Sequence, residues 1–312
     1  MLFGKYRFHN VLLDDALLPA YKGSTFRGAF GTALKRVVCA VREKECDACL
    51  LASRCLYAKT FESLVRDQVN RASRLAAPPH PYVIAPPPTR QTRFATGAPF
   101  DFSLLLFGET NEYLPYFVYA FESMGEGGIG KALSGRRGRF SVTDVTCAGL
   151  SIYDAGQRRL APVTPKTLTL HPGQDDRDGE LIVTLVTPLR LKFTNHYQAD
   201  LPFHLLVRAM LRRVSSLLDC FGAGEPPLDY RGLVARAATV ETVGSSLRWC
   251  DWQRYSNRQE EAMLMGGMIG EVSWRGRLGE YLPLLEFCKQ VHLGKQTTFG
   301  LGQFEYSFRQ SA

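Results

Sequence analysis

The sequence predicts an α+β chain built from two similar halves, each a ferredoxin-like βαββαβ unit. Two observations predict it. The chain repeats itself: Glu112-Tyr113-Leu114-Pro115 recurs as Glu280-Tyr281-Leu282-Pro283, and Gly130-Lys131-x6-Gly138-Arg139-Phe140 is matched downstream by Gly294-Lys295-x6-Gly302-Gln303-Phe304. The offsets are 168 and 164 residues, so two motifs keep their order at nearly one spacing, as a duplicated supersecondary unit would. The second observation is the order of periodicities in each half, which reads strand, helix, strand, strand, helix, strand.

In the first half, aromatic and β-branched residues over 3–13 predict a strand. Pro19 and Gly23 predict a turn, with Ser24 or Thr25 capping a helix to about Val41 whose apolar face is Phe26, Phe30, Ala33, Leu34, Val37 and Val38. A helical stretch over 57–73, short strands near 81–85 and over 99–108, and a helix over 112–125 capped by Asn111 follow. Pro115 falls in the first turn of that helix, where a missing N–H costs little. A glycine loop over 125–138 leads into a strand over 139–149. The second half predicts a strand over 180–193, an amphipathic helix over 202–221, strands near 237–250 and 262–275, a helix in EYLPLLEFCKQVHL and a last strand in GQFEYSF. Pro162, Pro165, Pro172 and GQDDRDG mark a boundary near 155–178, which gives domains of 1–160 and 161–312.

A chain of 312 residues, 45% hydrophobic and 22% charged, has the composition of a globular protein with ample core for two domains. No apolar run reaches membrane-span length, and the opening MLFGKYRFHN lacks the order of a secretion signal, so the expectation is a cytoplasmic protein without a membrane partner. A net charge of +8 favours an anionic partner, for which a phosphate backbone is the commonest reason. A basic enzyme with scattered surface lysines is the bland alternative.

Eight cysteines in such a chain argue against a disulfide framework. Cys39-x6-Cys46-x2-Cys49-x5-Cys55 places four thiols within 17 residues, a spacing suited to a tetrahedral metal site in an insertion at about 39–79. Lys44, Arg54 and Lys59 would offset its negative charge. Structural zinc, an iron–sulfur cluster and unliganded reduced thiols all remain open. Cys147, Cys220, Cys250 and Cys288 stand in apolar surroundings and read as buried small hydrophobes.

Each Gly-Lys segment joins a helix to a strand, where backbone N–H groups uncovered by side chains form anion-binding nests. The order is helix, loop, strand, so neither is a nucleotide-hydrolase phosphate loop. Lys131, Arg136, Arg137 and Arg139 in the first copy, and Lys289 and Lys295 beside the second, add cations. Trp252, Arg254 and Tyr255 in the segment 252–258 supply the aromatic and guanidinium surfaces that hold single-stranded nucleic acid, although Trp252 can equally be core.

Three segments together resemble a known family. The tail VHLGKQTTFGLGQFEY, the upstream DWQRYSNRQ…MGGMIGEV and the opening GSTFRGAFGTALKRVVC…CDAC…C are similar to the CRISPR-associated endoribonucleases that process precursor CRISPR RNA, members of the RAMP superfamily. The resemblance implies tandem ferredoxin-like domains and binding of a CRISPR repeat RNA, with Gly300 and Gly302 in the RNA-contacting loop. It also implies metal-independent cleavage, in which the 2′-hydroxyl attacks the adjacent phosphate and leaves 2′,3′-cyclic phosphate and 5′-hydroxyl ends. Subunits of a CRISPR effector complex are the further partners it implies; no small-molecule substrate is expected.

That reaction needs a base, an acid and cations around the phosphorane. Family members commonly carry a histidine around the first helix, often with a tyrosine or lysine. Here no histidine lies between His9 and His80, and the start of the first helix offers Tyr21, Lys22 and Arg27 instead. His292, two residues before Gly294, and His9 are the acid–base candidates. His204 lies in an apolar helix and reads as core, His196 stays open, and His80 and His171 are assigned no role. A non-catalytic RNA-binding subunit of the same kind of particle is the alternative to an enzyme.

Overall fold

The computed structural model describes residues 1–41, 45–62, 78–171, 175, 177–192, 199–256 and 261–311. Contacts divide the chain into two compact units, Met1–Thr167 with Cys220–Gly222 and Leu168–Asp219 with Ala223–Ala312. Both combine α-helices with antiparallel sheets. None of the described helices is long and apolar enough to cross a membrane.

In the first unit the central strand is β1 (Leu2–Leu12). Its period of two turns Tyr6, Phe8 and Asn10 to one face, which is buried, and Lys5, Arg7 and His9 to the other. It pairs with β8 (Phe140–Cys147) on one side and β5 (Phe102–Phe107) on the other, and β3 (Tyr82–Ala85) lies beyond β5. The order β8-β1-β5-β3 is extended past β8 by β9 (Leu150–Asp154) and β10 (Arg159–Leu160), and β11 (Lys166–Thr167) pairs with the start of β1. Helices α1 (Gly23–Val38) and α3 (Leu114–Gly127) meet through Phe30 and Phe121, whose rings stack at 4.4 Å. Phe26 meets Phe102 of the sheet edge-on at 5.0 Å. The short α2 (Leu56–Phe61) packs Phe61 on α1, where Gly31 leaves room for the ring. A separate small sheet has the order β4 (Arg93–Phe94), β2 (Ala16–Leu17), β6 (Ile129–Leu133), β7 (Arg136–Gly138).

In the second unit β12 (Asp178–Leu189) is flanked by β16 (Phe304–Gln310) and β15 (Glu261–Arg277), and β13 (Glu241–Ser245) pairs with β15. The order β16-β12-β15-β13 repeats the sequential pattern of the first unit, with the first and third strands central. The far end of β15 forms a two-stranded ribbon with β14 (Arg248–Ser256). Phe203 of α4 (Phe203–Phe221) contacts Trp274 at 5.3 Å and Tyr281 at 4.9 Å in the core. The other helices are α5 (Tyr230–Ala237) and α6 (Leu282–Val291).

The repeated Glu-Tyr-Leu-Pro motif has one structure in both units. A 3-10 turn (Gly108–Tyr113, Gly279–Tyr281) hands over to an α-helix, with the tyrosine as N-cap and the proline in the first turn. This corrects the expected cap at Asn111. Its side chain is buried, accepting from Tyr6 Oη at 2.9 Å and donating to Gly108 O at 2.8 Å, so it anchors the turn to the core. Helix α1 starts at Gly23 with Lys22 as N-cap and no side-chain cap, and stops at Val38 because Cys39 is extended. The expected strand near 237–250 begins later than predicted, since 230–237 is helical. Asp229 caps that helix by accepting from Gly232 N at 2.9 Å, and the internal Gly232 masks its periodicity. Of the four isolated cysteines only Cys288 is buried; Cys147, Cys220 and Cys250 are partly exposed. Residues 63–73 of the expected second helix, Lys44 and His196 lie outside the described residues.

Candidate nucleic-acid interface

The first Gly-Lys segment is a β-hairpin, not the expected open loop. Ser134 and Gly135 between β6 and β7 have φ of 48° and 82°, and two successive positive φ values match the twist of a tight hairpin. The hairpin leaves Lys131, Arg136 and Arg137 exposed. Arg93 of β4 is exposed on the same small sheet. None of these four forms an ion pair among the described residues. Arg139 is different. Its Nε and Nη2 donate to the two oxygens of Asp14 at 2.6 and 3.2 Å, and this pairing holds the Asp14 carboxyl below its ordinary range. Its charge is therefore already matched within the protein.

At the start of α1, Lys22 is buried and its Nζ donates to Thr89 O at 2.7 Å and Ala20 O at 3.3 Å. Burial brings its pKa down to about 8. The ammonium ties the turn before α1 to the loop after β3. Burial raises the Tyr21 phenol well above its ordinary value. Arg27, one turn further on, lays its guanidinium over the Phe61 ring at 5.2 Å and is half-buried.

His9 stands on the face of β1 opposite Tyr6 and Phe8. Its Nδ1 lies 3.0 Å from Asp101 Oδ2 and its Nε2 3.2 Å from Thr146 Oγ1, with 32% of the side chain exposed. Arg7 Nη2 reaches the same Asp101 oxygen at 3.2 Å. A proton on Nδ1 donated to the carboxylate leaves Nε2 as the basic nitrogen, held in one orientation. Sequence reasoning missed Asp101, because its partner lies 92 positions away and meets it only across the β1–β5 pairing.

In the second unit the segment 293–302 is compact. Lys295 N donates to Arg190 O at 2.9 Å, Gly300 N to Thr297 O at 2.8 Å, Gly302 N to Pro188 O at 3.0 Å and Leu293 N to Gly302 O at 2.9 Å. The expectation of a nest of uncovered N–H groups is corrected for these four, which are taken up internally. A Cβ on Gly302 would lie 1.7 Å from Leu293 O, so only glycine fits. Gly300 and Gly302 are buried, and Lys295 is the exposed residue of the segment. His292 is 3% exposed, with Nδ1 3.2 Å from Leu301 O, and its own carbonyl accepts from the buried Arg213. The structure sets it inside the loop as an internal brace. Lys289 is paired with Glu305. Trp252 is partly exposed on the β14–β15 ribbon, whose backbone also carries Arg254 and Tyr255.

Comparison with known proteins places this architecture. Residues 1–165 match a family model described as an N-terminal domain, and residues 183–304 match that of the CRISPR-associated endoribonuclease Cas6. Residues 183–304 thus carry a Cas6-family domain. An uncharacterized protein of Archaeoglobus fulgidus is 25% identical over 296 residues, covering 92% of both chains. Thermus thermophilus Cas6 shares the fold at a TM-score of 0.54 and 13% identity over 98% of each chain. A Cas6 product complex gives 0.56 at 15% identity, over 98% of this chain and 99% of that one. A partial Cas6-RT-Cas1–Cas2 complex gives 0.57 at 12% identity, over 99% of this chain but 46% of that one. At such identities the structural likeness speaks for the Cas6 fold alone.

The sequence-derived residues fall into separate groups: the basic hairpin, the start of α1 and His9 in one unit, Lys295 and the ribbon in the other. Cys39, Cys46, Cys49 and Cys55 follow α1, all partly exposed. Among the described residues no three His, Cys, Asp or Glu side chains stand in metal-holding geometry.

Proposed function

We propose that the protein binds the repeat of a precursor CRISPR RNA in the cytoplasm and cuts it without a metal ion. The match of residues 183–304 to the Cas6 endoribonuclease family carries this reading. The 2′-oxygen forms a bond to the adjacent phosphorus, the bond to the 5′-oxygen breaks, and the products are a 2′,3′-cyclic phosphate and a 5′-hydroxyl. A base takes the 2′-proton and an acid returns one to the leaving oxygen. His9, partly exposed and aligned by Asp101, is the acid–base group the geometry favours; Tyr21, Lys22 and His292 are engaged by the protein itself. Lys131, Arg136, Arg137 and Lys295 bind phosphates, and Trp252 with the ribbon residues Arg254 and Tyr255 offers stacking and charge. Gly300 and Gly302 act through the shape of the loop that presents Lys295, and Arg27 supports the RNA surface at α1. The shared strand order supports reading the halves as tandem ferredoxin-like domains divided near 155–178.

A second reading, a non-catalytic RNA-binding subunit of a CRISPR complex, is favoured by the burial of His292 and Lys22. Single-turnover incubation with end-labelled repeat RNA in excess chelator separates the two. One cut, abolished by a single 2′-deoxy nucleotide at the scissile position and by His9→Ala, is the expected result. Tight binding with no cut would establish the second reading, and a cut that needs added metal would overturn the mechanism.

A further inference from the structure

The described residues of the stretch from Cys39 to Cys55 form no hydrophobic core of their own. Among its described residues, 39–41 and 45–55, none is buried, and Leu50 is 93% exposed. Five side chains are turned partly inward: Cys39, Cys46, Cys49, Ala52 and Cys55. Four of the five are the clustered cysteines. A segment that buries so little apolar surface needs a covalent or metal staple to hold one conformation.

The backbone places the thiols at two helix ends and on the turns between them. Cys39 leaves the C-terminus of α1 and Cys55 is the N-cap of α2, and the two helices pack on each other through Phe30 and Phe61. Between them run successive tight turns, with Cys49 N donating to Cys46 O at 3.3 Å, Ala52 N to Cys49 O at 3.0 Å and Cys55 N to Ala52 O at 3.3 Å. Two thiols three positions apart on a tight turn, joined by one from each flanking helix end, are the donor set of a closed four-sulfur site.

We propose that Cys39, Cys46, Cys49 and Cys55 bind one structural zinc ion that staples the segment between α1 and α2. The ion draws the four thiols together through the turns and leaves no ligand position for water, so it stabilises the first unit and takes no part in chemistry. The proposal stands apart from RNA cleavage and is tested without it.

The full-length protein is purified without chelator and its metal counted by mass spectrometry. About one zinc per chain is expected. The Cys46→Ser/Cys49→Ser double variant should hold less than about a tenth of that, while Cys147→Ser, outside the cluster, keeps it. If the double variant does not fold, cobalt exchanged into the wild-type protein gives the second reading. A thiolate-to-cobalt charge-transfer band with tetrahedral d–d absorption supports the site. Zinc-free wild-type protein, zinc retained in the double variant, octahedral cobalt spectra, or iron with acid-labile sulfide in place of zinc would each overturn the proposal.

Discussion

Arg213 donates from Nε to the main-chain carbonyl of His292 at 3.0 Å, and its Nη2 reaches Val291 O at 2.7 Å. A buried guanidinium on α4 thereby satisfies the last carbonyls of α6, where the helix dipole favours positive charge. Burial brings the Arg213 pKa down to about 10, so it stays charged at neutral pH. Arg213→Met removes both donors and strands two buried carbonyls. It should lower the unfolding free energy by about 2–4 kcal/mol, read as a shift of the urea midpoint.

The two sterically extreme glycines should separate cleanly. Gly302 has φ of 76° and no room for a Cβ, whereas Gly97 has φ of 83° with nothing within 4 Å of one. Gly97→Ala should cost about 1–2 kcal/mol, the backbone strain alone. Gly302→Ala adds collision with the Leu293 carbonyl and should cost about 3 kcal/mol or more. Equal costs in thermal melts would mean that the loop yields.

The hairpin cations should report in the salt dependence of RNA binding. Replacing Lys131, Arg136 and Arg137 together with alanine should leave the melting temperature unchanged and reduce the log–log salt slope by about 2. Arg139→Ala should change the slope far less, because Asp14 already neutralises that side chain. Titrations at several salt concentrations distinguish the two variants.

Alkaline sensitivity should trace to Cys288. Burial pushes its thiol up to about 12, while an unfolded thiol ionises near its usual value of about 8.5. Between those values the folded state holds a proton that the unfolded state releases, so stability is fully present below about pH 8.5 and declines as pH rises toward 12. Cys288→Ala should lower stability at pH 7 through lost packing yet show a shallower decline from pH 8 to 10. Denaturant melts across that range check the slope.

Much of the fold is legible in the residues. The repeated Glu-Tyr-Leu-Pro motif marks the same turn-to-helix junction in both units, and the alternation of Tyr6 and Phe8 with Lys5, Arg7 and His9 foretells which face of β1 is buried. The helix at 230–237 escapes because Gly232 and the short length leave little periodicity. The glycine segments mislead in an instructive way. Similar spacing yields a hairpin at 129–138 and a closed loop at 293–302, since the first finds β2 to pair with and the second finds carbonyls on β12 and beyond it.

The sequence by itself determined the duplication, the main strands and helices of each half, the positive charge and the spacing of the four thiols, because periodicity and local turn chemistry are written in neighbouring residues. Only the tertiary structure decided which cations remain exposed and which histidine is accessible. Arg139 is neutralised by Asp14, His292 is closed in by Leu301 and Arg213, and His9 gains Asp101. Most of these partners lie tens of residues away, and burial with hydrogen bonding, which sets whether a polar group can meet a ligand, exists only once they are brought together.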